Sequence, residues 1–188
     1  MKLSIVSSFA AILSLVAAAP VTRDSSPFNK PNIIRPRARS QYEVWTAAIH
    51  YNTTNGKIFK NGHTTDITTL LTFDFPAVTA GQSCEFHFFL DGTATVSGTG
   101  TFDVFSSLAP ATMSTTSWPP GNLRDKYGGR MQASKPGEAA FLAGYGNDAK
   151  LFNCPSNSVY GAELVPTGDV DDIEWTGGVA GAYILYHP

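Results

Sequence analysis

The sequence predicts an all-β protein: an antiparallel β-sandwich of jelly-roll or immunoglobulin-like kind, a single domain stapled by one disulfide. Three observations predict it. From Cys84 to Leu90, residues Cys84, Phe86, Phe88 and Leu90 fall on one face and Glu85 and His87 on the other, the period of a half-buried strand. Short runs rich in β-branched and aromatic residues recur along the chain, divided by Gly, Pro and Asn turns. No segment sustains a helical period. The 188 residues suffice for one domain with a real core.

The first residues are of another kind. Met1-Lys2 supplies a short positive start, Leu3 to Val16 is apolar, and Val16-Ala17-Ala18 offers the small residues of a cleavage site. Residues 1–18 are therefore expected to be a secretory signal peptide. The apolar stretch is short for a membrane span, which takes about 20 residues, and no second such segment follows. Residues 19–39, with their prolines, serines and basic residues, read as a flexible leader or pro-segment. Processing after Arg39 is one expectation for it, a plain basic linker the other.

The β domain is then expected over residues 40–188. Tyr42 to Tyr51 alternates throughout and reads as its first strand. Asn52-Thr53-Thr54 is a glycosylation sequon, with Asn52 as acceptor on a turn that Asn55-Gly56 and Asn61-Gly62 extend. Thr68 to Phe75 and Cys84 to Asp91 form a strand pair joined through Pro76 and Gly81. Phe89 breaks the polar face of the second. Thr93–Ser97 and Gly100–Ser106 are short strands, and Ala109 to Gly129 reads as a long loop, of the length that is functional or mobile in compact domains. Strands at 130–133, 139–143, 151–154, 162–165, 172–175 and 182–187 complete the chain.

The chain has two cysteines. In a secreted protein they read as a disulfide, Cys84 to Cys154, the alternative being two buried thiols. The loop it closes makes it worth about 4 kcal/mol in the chain-entropy model.

Charge excludes some classes. A net charge of −2 with 15% charged residues leaves no electrostatic footprint for nucleic acid. The four histidines lack metal-ligand spacing, and no pattern asks for a cofactor. Asp169, Asp171 and Asp172, with Glu174, are the densest acidic cluster and the weak candidates for a cation; an acidic turn is the plainer reading. Glu85, Asp91, Asp103 and Glu174 lie on or beside strands and supply the carboxylates a glycosidase would need, yet nothing marks a catalytic pair. Trp118, Tyr127 and Tyr145 are the candidate ligand-binding residues, as aromatics in segments expected to be exposed. Tyr160 joins them on the same ground.

The order of several short motifs resembles a known family. These are Thr69-Leu70-Leu71-Thr72-Phe73-Asp74-Phe75-Pro76, Gly81-x-x-Cys84-x-Phe86-x-Phe88, Gly100-x-x-Asp103-Val104-Phe105, Cys154-Pro155, Glu163-Leu164-Val165-Pro166-x-Gly168-Asp169, Glu174-Trp175 and Gly181-x-Tyr183-Ile184. Together they are similar to the fungal But-two family, whose domain is labelled a ubiquitin 3 binding protein, C-terminal domain, over roughly Tyr42 to Pro188. The resemblance implies a β-rich, secreted or surface protein of fungi without established catalytic residues. Its label implies a partner in a ubiquitin-like pathway. Phe73, Phe86, Phe88, Phe105 and Trp175 read as packing positions, Pro76 and Gly168 as turns. The expected function is a secreted, non-catalytic binding protein of the fungal cell surface or wall, with a cell-wall polysaccharide or surface protein as partner. A small polysaccharide hydrolase and a ubiquitin-like-pathway binder are the alternatives.

Overall fold

The structure is a computed structural model that describes residues 26–119 and 122–187. Its strands are β1 (Ile33–Ile34), β2 (Pro36–Glu43), β3 (Ile49–His50), β4 (Asn55–Lys60), β5 (Ile67–Phe75), β6 (Ser83–Leu90), β7 (Thr95–Gly98) and β8 (Thr101–Ser107). They continue with β9 (Arg124–Gln132), β10 (Gly137–Glu138), β11 (Ala140–Phe141), β12 (Phe152–Asn153), β13 (Ser158–Pro166), β14 (Asp171–Thr176) and β15 (Gly181–His187). A smaller sheet runs β1-β15-β6-β10, with β12 also on β6. A larger one runs β11-β9-β8-β13-β5-β4-β14-β7, with β2 added to β5 and β3 to β2. Pairing between these strands is antiparallel, and the sheets form the sandwich that the alternation in β6 predicts.

The core explains the sequence pattern strand by strand. In β6, Cys84, Phe86, Phe88 and Leu90 are buried as expected. Phe88 packs between Trp175 and Phe102, with ring centroids 4.9 and 4.8 Å away; such pairs add about 0.5–1.5 kcal/mol beyond the area they bury. Trp175 occupies space left by two glycines. A Cβ on Gly56 would come within 2.1 Å of its ring, and one on Gly181 within 2.2 Å. In β5, Leu71, Phe73 and Phe75 enter the main core, while Leu70 packs with Tyr42 and Ile49 on the opposite face. Both faces are covered, so the strand reads as a continuous apolar and threonine run.

Phe89 departs from the polar face of β6 because it has a partner. Phe28, in the 3-10 turn Pro27–Asn29, lies edge-on to Phe89 at 6.5 Å and to Tyr183 at 5.5 Å. This corrects the reading of residues 19–39 as flexible throughout. From Pro27 onward the segment is part of the domain: β1 pairs with β15, and β2 pairs with β5 from Pro36 to Glu43. Ala38, Ser40 and Tyr42 are buried in alternation, a pattern hidden by the prolines and arginines around it. Arg39 donates to the carbonyls of Thr53 and Thr54 at 3.4 and 2.9 Å, so cleavage after Arg39 would cut a paired strand. The expected signal peptide, and residues 19–25 of the expected leader, lie outside the described residues.

Two further boundaries differ. Tyr42 to Tyr51 is not one strand: β2 stops at Glu43, Ala47 takes a positive φ of 58°, and the chain reverses into β3. The loop expected through Gly129 ends at Leu123, where β9 begins. Cys84 and Cys154 form the disulfide. It anchors a strap across one side of the sandwich. Within the strap, Ala149 donates its N–H to Gly128 of β9 and accepts from the N–H of Phe86 in β6, each at 2.9 Å, and Phe152 pairs with Cys84.

Candidate functional site

The outer face of the larger sheet is roofed by residues 108–119 and 122–123. Its foundation is Glu163 of β13, fully buried although it stands on the face turned away from the core. The carboxylate accepts from Thr68 Oγ1 at 2.6 Å and from Arg124 Nε and a terminal guanidinium nitrogen at 2.6 and 2.9 Å. The Asn122 amide nitrogen, turned toward it, donates at 2.5 and 3.3 Å. Its bond to Glu163 raises the Arg124 guanidinium above its ordinary value despite the opposing effect of burial. Burying a carboxylate is tolerated only with such compensation.

From that foundation the roof is bonded down along its length. Leu108 donates to Leu123, Thr72 Oγ1 to Ala111, and Trp118 to Ala47, the last across the turn between β2 and β3. Ile49 donates to Thr116, and Ala48 bridges Ser117. A fixed backbone therefore presents two tryptophans outward on neighbouring loops: Trp118, 55% exposed, and Trp45, 66% exposed. Beside Trp118 lies a hollow of about 400 Å³ lined by Thr112, Ser114, Thr115, Thr116, Ser117 and Pro119. Hydroxyls both donate and accept, and an indole offers an apolar face with a polar edge.

Tyr127 and Tyr145 belong to a different assembly. Asp103 of β8 accepts from Arg130 of β9 at 2.8 and 2.9 Å and from the Tyr127 hydroxyl at 3.2 Å. The Arg130 guanidinium stands 4.3 Å from the centroid of the Tyr145 ring. The structure thus brings Tyr127 and Tyr145 together and leaves Trp118 apart from them. Tyr127 is not the exposed loop residue expected; it is a half-buried strand residue, its ring 5.4 Å from Phe105. Burial first, then Asp103, raises its phenol above the ordinary value. Tyr145 remains exposed. Tyr160, expected outside, packs edge-on to Phe75. Phe105, read as a packing position, is only partly buried, at a register shift between β8 and β9.

The acidic residues have separate employments. Asp171 is fully buried and accepts from Thr99 Oγ1, Gly100 N and Gly168 N at 2.5, 2.9 and 2.7 Å, tying β14 to the β7–β8 turn. Asp169 is exposed, while Asp172 and Glu174 face Lys57 at 3.9 and 3.5 Å. Among the described residues, no three acidic, His or Cys side chains gather in a way that would hold a metal ion. Of the candidate glycosidase carboxylates, Asp91 accepts from Thr93 and Ala94, Glu85 faces His87 and His187, and Asp103 and Glu174 are engaged as above. Asn52 is exposed, with a positive φ of 53° at its turn.

Sequence reasoning missed Trp45 and Glu163. Trp45 sat inside an apparent strand, and no Gly, Pro or Asn announced the turn that exposes it. Glu163 had a signal, an acid flanked by apolar neighbours in a motif of packing residues.

Together these features define a disulfide-stapled antiparallel β-sandwich whose outer surface carries a fixed aromatic loop. Residues 29–177 match the family described as Ubiquitin 3 binding protein But2 C-terminal domain, and the chain belongs to that family. The match begins ahead of Arg39, as the folded β1 and β2 require, and stops before β15, which the smaller sheet still needs. Comparison with curated proteins finds no match. No helix among the described residues is long and apolar enough to cross a membrane.

Proposed function

We propose that the protein is a secreted, non-catalytic recognition module of the fungal cell surface that holds wall polysaccharide at Trp118 and Trp45. One observation carries the reading: two exposed tryptophans on hydrogen-bonded loops, with a hollow of threonine and serine residues beside Trp118. Sugar rings combine apolar C–H faces with a rim of hydroxyls, and the indoles and threonines match both parts. The preordered loop keeps the entropy cost of binding low. Secretion is supported by the N-terminal segment, by the disulfide, which belongs to oxidising compartments, and by the exposed sequon at Asn52.

Depletion of the purified domain from solution by insoluble chitin, β-glucan and cellulose tests the reading, with reducing ends assayed in the supernatant. Retention without released sugar is the expected result. Released sugar would turn the account to the hydrolase. A second reading follows from the family's description, which names binding to ubiquitin 3. Here the exposed Leu108, Met113 and Leu123 of the same roof would form an apolar docking surface. Saturable amide shifts of this loop on titration with ubiquitin or a ubiquitin-like protein, without polysaccharide retention, would favour it.

A further inference from the structure

Between the two sheets, beneath the disulfide-anchored strap, lies a cavity of about 330 Å³. Its floor is core: Phe73, Phe86, Val104, Ala162 and Ile184 come from five different strands. Aromatic rings of Phe105, Tyr127, Phe152 and Tyr160 form the walls. The exposed lining residues, and so the mouth, are Lys126, Asp148 and Asn153. Protein interiors are packed with few voids larger than a water molecule, whereas this space equals about ten waters at roughly 30 Å³ each. An apolar cavity with a few polar groups at one end is the usual form of a small-molecule site, and its volume falls at the lower end of their range.

Size and lining define the occupant. About ten to twelve heavy atoms fit by the same volume measure, which is one aromatic ring with a short tail. Ring-lined walls favour an aromatic body through edge and face contacts. At the mouth stand one ammonium, on Lys126, and one carboxylate, on Asp148. Neither takes part in an ion pair among the described residues. We propose that the cavity binds a small aromatic zwitterion, an aromatic amino acid in its free form, with the ring inside, its carboxylate toward Lys126 and its ammonium toward Asp148. A terminal residue of a peptide would carry only one of the two charges. The site is independent of the polysaccharide reading, since Trp45 and Trp118 take no part in it.

The test is a titration of the isotope-labelled protein, followed by amide shifts, with three probes sharing one ring: L-phenylalanine, 3-phenylpropanoate and 2-phenylethylamine. Phenylalanine should give saturable shifts at Gly128, Ala149 and Ala162, and each single-charge probe should bind about threefold to fivefold more weakly, the scale of one exposed ion pair. Lys126→Ala and Asp148→Ala should each lower phenylalanine affinity by a similar factor and leave polysaccharide retention unchanged. Ala149→Leu, which fills the cavity from the strap, should abolish binding. Should that variant fail to fold, the three-probe series on the native protein decides alone. Absence of saturable shifts at those amides, equal affinity for all three probes, or shifts confined to the Trp118 loop would overturn the proposal.

Discussion

Replacing Arg124 by alanine leaves the Glu163 carboxylate in a site with no solvent exposure and removes two of its strongest donors, at 2.6 and 2.9 Å. Breaking a buried pair from one side costs about 3–5 kcal/mol. Thr68 and Asn122 still donate to the carboxylate, which places the expected loss at about 3 kcal/mol, the lower end of that range. Glu163→Gln acts differently. The charge left behind is Arg124, whose side chain is 39% exposed and regains water, so the loss is about 1.5–2 kcal/mol, the lower end for hydrogen bonds to charged groups. The double variant lacks the stranded carboxylate and should fall short of the sum by about 1–2 kcal/mol. Urea unfolding followed by tryptophan fluorescence reads all four proteins. An Arg124→Ala loss below that of Glu163→Gln, or strict additivity, would refute the placement of Glu163 under the roof.

Other expectations rest on separate parts of the fold. Phe28→Ala should cost about 3 kcal/mol, the low end for a buried phenylalanine, measured by the same unfolding; a neutral result would return residues 26–35 to a dispensable leader. Gly56→Ala should destabilise by about 2–3 kcal/mol through overpacking against Trp175, with the thermal midpoint as readout. Burial, with the 2.5 Å bond to Glu138, raises the Tyr183 phenol above its ordinary value. Its contribution is thus complete below the unfolded value of about 10 and declines as pH rises beyond it. Tyr183→Phe should flatten the loss of stability above about pH 10, and an unchanged alkaline slope would contradict the assignment.

What the sequence made legible follows from which partner each residue has. Strands that alternate cleanly, β6 from Cys84 to Phe88 above all, could be read directly, because one face meets the core and the other stays partly exposed. Phe89 could not be explained from its own strand, since its partner Phe28 lies far upstream in a segment whose composition suggests a linker. The same distance hid the roof: Glu163 looks outward by alternation, and only the return of residues 108–119 and 122–123 makes that face an interior. Within β9, Gly128 and Gly129 disguised a strand as a turn. Gly129 holds a φ of 134°, and a Cβ there would meet the Gly146 carbonyl at 2.3 Å, so glycine serves a close approach of the strap. Trp118 could be found as an exposed aromatic in a loop. Trp45 could not, because an alternating run gives no sign of the reversal at Ala47.

Recognition of polysaccharide at the tryptophan pair is tested most directly by binding isotherms of the native protein, Trp118→Ala and Trp45→Ala on insoluble β-glucan and chitin. Thermal unfolding of each variant serves as the control for folding. Retention of the native protein with at least one polymer, reduced about tenfold or more in Trp118→Ala and also lowered in Trp45→Ala, is the predicted result, the scale expected for truncating an aromatic anchor. Equal retention of all three proteins, or none by either polymer, would contradict the account.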